Sequence, residues 1–364
     1  MPRTIENYVN DVFIPTVAEF PDDIATSWEI QKPLEDAGYR PGFMLFIRKT
    51  KPEDKPRVFD HENVKKQYGN LEKYAEQYGN APVVTMLSNL PIQHIDFLHN
   101  SSEARDHVYQ GIEFAKALPI GGRKMLTFHL NTLVTPEEFK SKSQEEWYAL
   151  FDEVIRPKLK RLCLDTKEKN VETLVETVPV PEFGDIKPED NLTYRGVHFR
   201  DLRNPFYLIG NNGAWNEVKR AGLGICLDVY HNRTIYIEGH CKNEEVLFQK
   251  DREQLHMILQ PVDYEMTIDK DMISRTLLAD VMELNPRTDL VHLNDGAGRY
   301  NPQGEVFLEG VALGERDIDD LKYMINDVNR RKIPFVIEVN ETDFKERPNT
   351  KKSIEYLLSL PKYN

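Results

Sequence analysis

The stretch Gly224-Ile225-Cys226-Leu227-Asp228-Val229-Tyr230-His231 decides how this chain is read. It is an apolar, strand-forming run that ends in a carboxylate, with a histidine just beyond, where a turn into a loop is expected. Strands of a parallel sheet covered by helices are nearly continuously apolar. A carboxylate at Asp228 therefore carries a desolvation cost that something must offset. Four comparable runs lie elsewhere, at 125–131 with His129, 173–178 with Glu176, 290–295 with His292, and 335–341 with Glu338. Each delivers one histidine or one acid near the end of a strand. Five such coincidences point to a metal ion.

Working outward, eight strands are read at 12–18, 43–48, 83–89, 125–131, 173–178, 224–230, 290–294 and 335–340. Most are followed by apolar residues at helical spacing, as at 110–117 and 150–162. Thr135-Pro136-Glu137-Glu138 offers a helix cap with proline at the first position, and Ser143-Gln144-Glu145-Glu146 reads as a capping box. Strand and helix alternating eight times predict an α/β fold of the (β/α)8 TIM-barrel type, as one domain over 1–364. In the last strand Phe335, Ile337 and Val339 share one face, and Val336, Glu338 and Asn340 the other. Apolar side chains are expected to face the helices and polar ones the lumen. The marked residues then gather at the C-terminal ends of the strands, where barrel enzymes place their sites.

Long loops are expected after strands 5 and 6. The first, 179–212, contains Pro181, Pro188 and Pro205; the second, 231–282, contains His240 and Cys241. Both are read as walls that select the substrate. No internal repeat and no linker divides the chain.

Composition narrows the function classes. The 364 residues are 40% hydrophobic and 29% charged, as in an ordinary globular protein, and carry a net charge of −13. Broad binding to a phosphate backbone needs Lys and Arg, so nucleic acid is disfavoured, although a local basic groove is compatible with that total. No apolar run approaches the roughly 20 residues of a membrane helix, and residues 1–7 lack the apolar core of a secretory signal. Cys163, Cys226 and Cys241 are too few for a disulfide framework, which fits a reducing, cytoplasmic setting. Cys226 is read as a small core residue.

Glu176, Asp228, His292 and Glu338 make an oxygen-rich set suited to Mn²⁺, Mg²⁺, Zn²⁺ or Co²⁺. Taken singly, each reads better as a buried ion pair or a solvent-facing rim residue; all four at equivalent strand ends read better as a metal site. His129 and His231 are open between further metal ligands, substrate contacts and structural histidines. His198 and His240 are read as substrate contacts or surface residues, and Asn294, on the lumen face beside His292, as a substrate contact. Asn294-Asp295-Gly296 reads as a turn, and Glu172 and Glu341 as solvated or ion-paired charges.

Leu174-Val175-Glu176, Leu227-Asp228-Val229-Tyr230-His231, Val291-His292-Leu293-Asn294-Asp295 and Val336-Ile337-Glu338, with Leu313-Gly314-Glu315-Arg316-Asp317-Ile318, resemble the xylose isomerase-like TIM-barrel superfamily. That superfamily includes the ketose 3-epimerases and endonuclease IV. The resemblance implies that Glu176, Asp228, His292 and Glu338 are a shared metal quartet, with the two glutamates an acid/base pair. It implies that His231 contacts substrate or a further metal, and that His129 is a nuclease-type ligand. Two departures stand out. Val306-Phe307-Leu308 replaces an Asp-x-His of the nucleases, and Met86-Leu87-Ser88-Asn89 replaces a histidine-bearing strand. One metal, or at most two, is expected.

The leading expectation is a divalent-metal-dependent isomerase or epimerase of a sugar, sugar phosphate or polyol, acting through an enediolate. A phosphodiesterase on abasic DNA is the second, and a non-catalytic metal-binding or ligand-binding barrel the third. Barrels of this kind often associate, so a homo-oligomer is among the expectations.

Overall fold

The computed structural model describes residues 8–16, 22–47, 62–78, 82–87, 96–99, 101–120, 122–178, 191–205, 218–231, 288–297, 308–315 and 321–361. The outer ends expected for the first three strands, most of both long loops, His240, Cys241 and 316–318 lie outside them.

Among the described residues, eight parallel strands close into a barrel in chain order: β1 (Asp11–Thr16), β2 (Arg40–Ile47), β3 (Val83–Leu87), β4 (Lys124–His129), β5 (Glu172–Glu176), β6 (Gly224–Asp228), β7 (Leu290–Leu293) and β8 (Phe335–Ile337), which returns to pair with β1. The helices are α1 (Asp23–Asp36), α2 (Glu62–Tyr78), α3 (Ser101–Ala117), α4 (Pro136–Lys140), α5 (Gln144–Leu150), α6 (Arg156–Glu168), α7 (Leu321–Arg331) and α8 (Pro348–Ser359). None is long and apolar enough to cross a membrane.

The period of two in each strand separates two cores. Val12, Phe43, Leu126, Val175, Ile225, Leu227, Val291 and Phe335 face outward and join the helices in one large cluster. On α7 that cluster is met by Leu321, Met324, Ile325 and Val328, at the spacing of one helical stripe. Phe13, Met44, Val84, Met125, Leu174, Cys226, Leu290 and Val336 face inward and form a second cluster. The middle of the lumen is therefore apolar, with polar side chains above it at the C-terminal ends of the strands and the Asp11–Arg40 ion pair below it at the N-terminal ends. Apolar side chains, expected to face the helices, thus also fill the lumen. An eight-stranded interior is just wide enough for side chains to fill, and each buried Leu, Phe or Met stabilises by roughly 1.5–3 kcal/mol.

The capping box expected at Ser143 is present, and the cap expected at Thr135 is a full capping box as well. Thr135 and Ser143 accept from the amides of Glu138 and Glu146, whose carboxylates return to the cap amides. The helix expected over 150–162 is interrupted by a π-helical segment, Phe151–Ile155. Pro157, in the first turn of α6, has no N–H to return to the preceding turn, and the backbone loosens there. Three further readings change. Strand β6 stops at Asp228, and 229–231 are helical. Asp295 starts a short strand, Asp295–Ala297, paired antiparallel with Leu308–Val311. Glu341 caps α8, accepting from the amides of Asn349 at 3.1 Å and Thr350 at 2.7 Å.

Gly224 sits where β6 passes Leu174 and Asp289. A Cβ there would overlap Leu174 Cδ2 and crowd the Asp289 carboxylate, which holds Ile225 N at 2.9 Å and Lys219 Nζ at 2.7 Å. Gly224→Ala is expected to destabilise the protein by about 1–3 kcal/mol, read from denaturant unfolding; an unchanged midpoint would contradict this packing.

Candidate metal centre

Register carries the site. His129 lies opposite Glu176 across β4 and β5, and Asp228 lies opposite His292 across β6 and β7. Glu338 follows β8, where its amide bonds to Leu293 O at 2.9 Å. One donor atom each from Glu176, Asp228, His292 and Glu338 lie within 4.8 Å of one another. His292 Nδ1 is their meeting point, 3.2 Å from Glu176 Oε1, 2.5 Å from Glu338 Oε2 and 3.9 Å from Asp228 Oδ2. Glu176, Asp228 and His292 are fully buried; the Glu338 side chain is 22% exposed, so the cluster opens to the mouth on its side.

A second set shares Glu176. Its Oε1 lies 3.4 Å from His129 Nε2 and 3.7 Å from His231 Nδ1, and the two imidazole rings meet edge to face at 5.7 Å. Burial opposes ionisation of Glu176, but His292 and His129 outweigh it and hold the carboxyl well below the usual carboxylate range. Burial likewise opposes protonation of His292, and Cys226, Glu176 and Glu338 raise its pKa well above the usual imidazole value. Burial pushes the Cys226 thiol up to about 12.

The turn after β6 is built around the same carboxylate. Asp228 Oδ1 accepts from the His231 amide at 2.8 Å, in the manner of a helix cap, which is why 229–231 are helical. Asp228 Oδ2 accepts from Asn294 Nδ2 at 3.1 Å. Thr177, which the sequence reading passed over, bonds both sides of this junction. Its Oγ1 accepts from Asp228 N at 2.9 Å, and its carbonyl accepts from His231 Nδ1 at 2.6 Å. That second bond puts the proton on Nδ1 and leaves Nε2 as the nitrogen able to accept or ligate. A hydroxyl directly after a strand-end acid was the only signal for Thr177 in the sequence.

The chemistry of these donors fits a divalent cation. Three carboxylates and an imidazole converge from four strands. Glu176 Oε2 is buried without a hydrogen-bond partner, which is costly unless a cation takes its charge. His292 Nδ1 must lose its proton to ligate, so affinity for a cation rises with pH.

His198 is not brought to this cluster. It lies half-buried in a small hairpin of Thr193–Tyr194 and Val197–His198, opposite Thr193. The hairpin rests on Leu133, Phe199 and Leu202, and Tyr194 Oη donates to the buried Asp96 at 2.9 Å. Arg195 closes a two-pronged pair with Glu138 on α4. The sequence places His198 in a loop emerging at the catalytic mouth; local hairpin packing turns it into part of the wall.

Fold and donor cluster together define a parallel TIM barrel with a candidate cation centre at its mouth. No family model matches the sequence, and no curated protein is similar to it at a significant level. Among solved structures, the chain is similar to a 3-keto-D-glucoside 4-epimerase from E. coli (11% identity, TM-score 0.51, 96% of this chain and 98% of that one). It is also similar to a D-tagatose 3-epimerase-like protein (11% identity, TM-score 0.50, 95% and 96%). These likenesses show the fold alone, a (β/α)8 TIM barrel.

The Glu138–Arg195 pair carries a pH dependence. Arg195 first, with the Thr135 amide, lowers the Glu138 pKa to about 2 against the opposing effect of burial. A carboxyl held lower in the folded state stabilises above its unfolded pKa, and the effect fades as pH falls towards 2. Glu138→Gln is expected to lower stability at neutral pH by no more than about 1 kcal/mol, because the two side chains are 35% and 26% exposed and water screens the pair. Denaturation midpoints of the two proteins should converge between about pH 4.5 and 2; a gap constant with pH would show that the pair contributes nothing.

Proposed function

We propose that this protein is a divalent-metal-dependent isomerase or epimerase acting on a sugar, sugar phosphate or polyol. The observation that carries this reading is the convergence of Glu176, Asp228, His292 and Glu338 on one small volume at the mouth of the barrel. The epimerase neighbours are compatible with it.

The donors come from four consecutive strands, so Glu176 and Glu338 stand at the two ends of an arc with Asp228 and His292 between them. A substrate carbon placed across that arc meets one carboxylate on each side. One glutamate removes the proton from the carbon beside the carbonyl, and the other returns it from the opposite face. A bound cation would supply positive charge where negative charge develops on the substrate oxygens. Asn294 Oδ1 is buried without a hydrogen-bond partner and offers an acceptor for a substrate hydroxyl. His231 Nε2 is a second polar contact for the substrate. The barrel floor excludes water from below, which strengthens each of these interactions.

The second reading, a metal-dependent phosphodiesterase on abasic DNA, is favoured by one specific feature: His129 and His231 form a further donor set with Glu176, able to take a second cation. The net charge of −13 weighs against it.

The deciding experiment combines metal analysis with a panel of ketoses, sugar phosphates and polyols in deuterated water, followed by product detection. Metal-loaded protein is expected to incorporate deuterium at the carbon beside the carbonyl of one member. Glu176→Gln and Glu338→Gln are each expected to lower kcat/KM by at least about 100-fold. Metal-loaded protein that neither exchanges nor transforms any member, and instead cleaves an abasic oligonucleotide, would replace this reading with the second.

A further inference from the structure

Cys226 has no part in the reading above. It is fully buried, directly opposite Glu176 across the β5–β6 ladder, and one pleat repeat below Asp228. Its fellows on the lumen floor, Met125, Leu174 and Leu290, are apolar. Towards the mouth, however, the thiol meets donors: its sulfur, an oxygen of Glu176 and a ring nitrogen of His292 lie within 4.8 Å of one another. Glu176 also holds a buried oxygen, Oε2, without a hydrogen-bond partner. Pleat and register thus give Glu176 two lateral neighbours, His129 on β4 and a sulfur on β6.

We propose that Glu176, Cys226 and His292 form a separate cation position, deeper in the lumen than the quartet, that takes a thiophilic divalent ion such as Zn²⁺ or Cd²⁺ in preference to Mg²⁺ or Mn²⁺. The proposal rests on the reading of Glu176 and His292 as cation ligands. Sulfur is a soft donor, and soft donors select these ions over Mg²⁺ and Mn²⁺. With bonds of about 2.3 Å to sulfur and about 2.0–2.2 Å to nitrogen and oxygen, tetrahedral donors stand about 3.3–3.7 Å apart. The observed triangle therefore needs to close by little more than an ångström. On binding, the Cys226 S–H bond breaks, its proton leaves to solvent, and the sulfur lone pair forms the bond to the ion; no electron is transferred. The quartet and the deeper position share Glu176 and His292, so they exclude one another. An ion held below is withdrawn from Asp228 and Glu338, and thiophilic ions then act as inhibitors of a centre that works with a harder one.

The test uses the full chain stripped with a chelator and titrated with Co²⁺ and Cd²⁺, followed by absorption spectroscopy. Wild type is expected to show a near-ultraviolet thiolate-to-metal charge-transfer band that grows to saturation. Cys226→Ser and Cys226→Ala are expected to lose that band and to bind Cd²⁺ at least about tenfold more weakly. Both should keep the visible Co²⁺ bands and the Mn²⁺ affinity of the quartet, with unchanged circular dichroism. Asp228→Asn is expected to keep the charge-transfer band. Visible Co²⁺ bands without charge transfer in wild type would overturn the sulfur position and leave the quartet standing. A charge-transfer band that survives Cys226→Ser would also overturn it, by assigning the sulfur elsewhere. No bound ion of any kind would overturn both.

Discussion

A fully desolvated carboxylate at Glu176 is the constraint around which this molecule is arranged. An ionised acid removed from water costs several kcal/mol unless opposite charge or hydrogen bonds replace the solvent. The barrel supplies imidazoles from His129, His231 and His292 within 3.7 Å of one of its oxygens. Its other oxygen is left without a hydrogen-bond partner. That imbalance, together with the approach of Asp228 and Glu338, is what makes a cation the natural complement of the site. Glu176 is also the shared vertex of each donor set, so whatever binds in one place alters the others.

Backbone hydrogen bonds at the strand ends hold that arrangement. Thr177 ties the end of β5 to Asp228 and to His231, and Asp228 in turn caps the helical turn that carries His231. On the other side of the arc, Glu341 caps α8. The left-handed Arg347 at the start of α8 reaches back to Pro15 O and Asp23 and joins the β1 and β8 ends of the barrel. Polar side chains at this face thus do two jobs. Some present charge to the lumen, and others fix the loops that decide where that charge points.

Much of this was legible without coordinates, for identifiable reasons. The helix cap at Thr135 and the capping box at Ser143 were readable because a cap is local, spanning three residues. Strand-end acids and histidines stood out because charge is rare in an otherwise apolar run. Other features escaped because their causes are not local. The apolar floor of Met125, Leu174 and Val336 depends on the width of the closed barrel. The pairing of Asp295 with Val311 depends on a partner segment that returns from elsewhere. Glu341 looked like a surface charge because its partner amides belong to a helix that begins several residues on.

The sequence alone determined the alternation of strand and helix, the period of two that assigns inward and outward faces, and the residue types arriving at the strand ends. These follow from backbone geometry and from the cost of burying charge, both of which act residue by residue. Only the tertiary structure decided which of those residues meet. The register between strands set His129 and Cys226 on either side of Glu176 and placed Asp228 against His292, while hairpin packing kept His198 in the wall. Register and closure are properties of eight strands paired in a ring, and no single strand carries them.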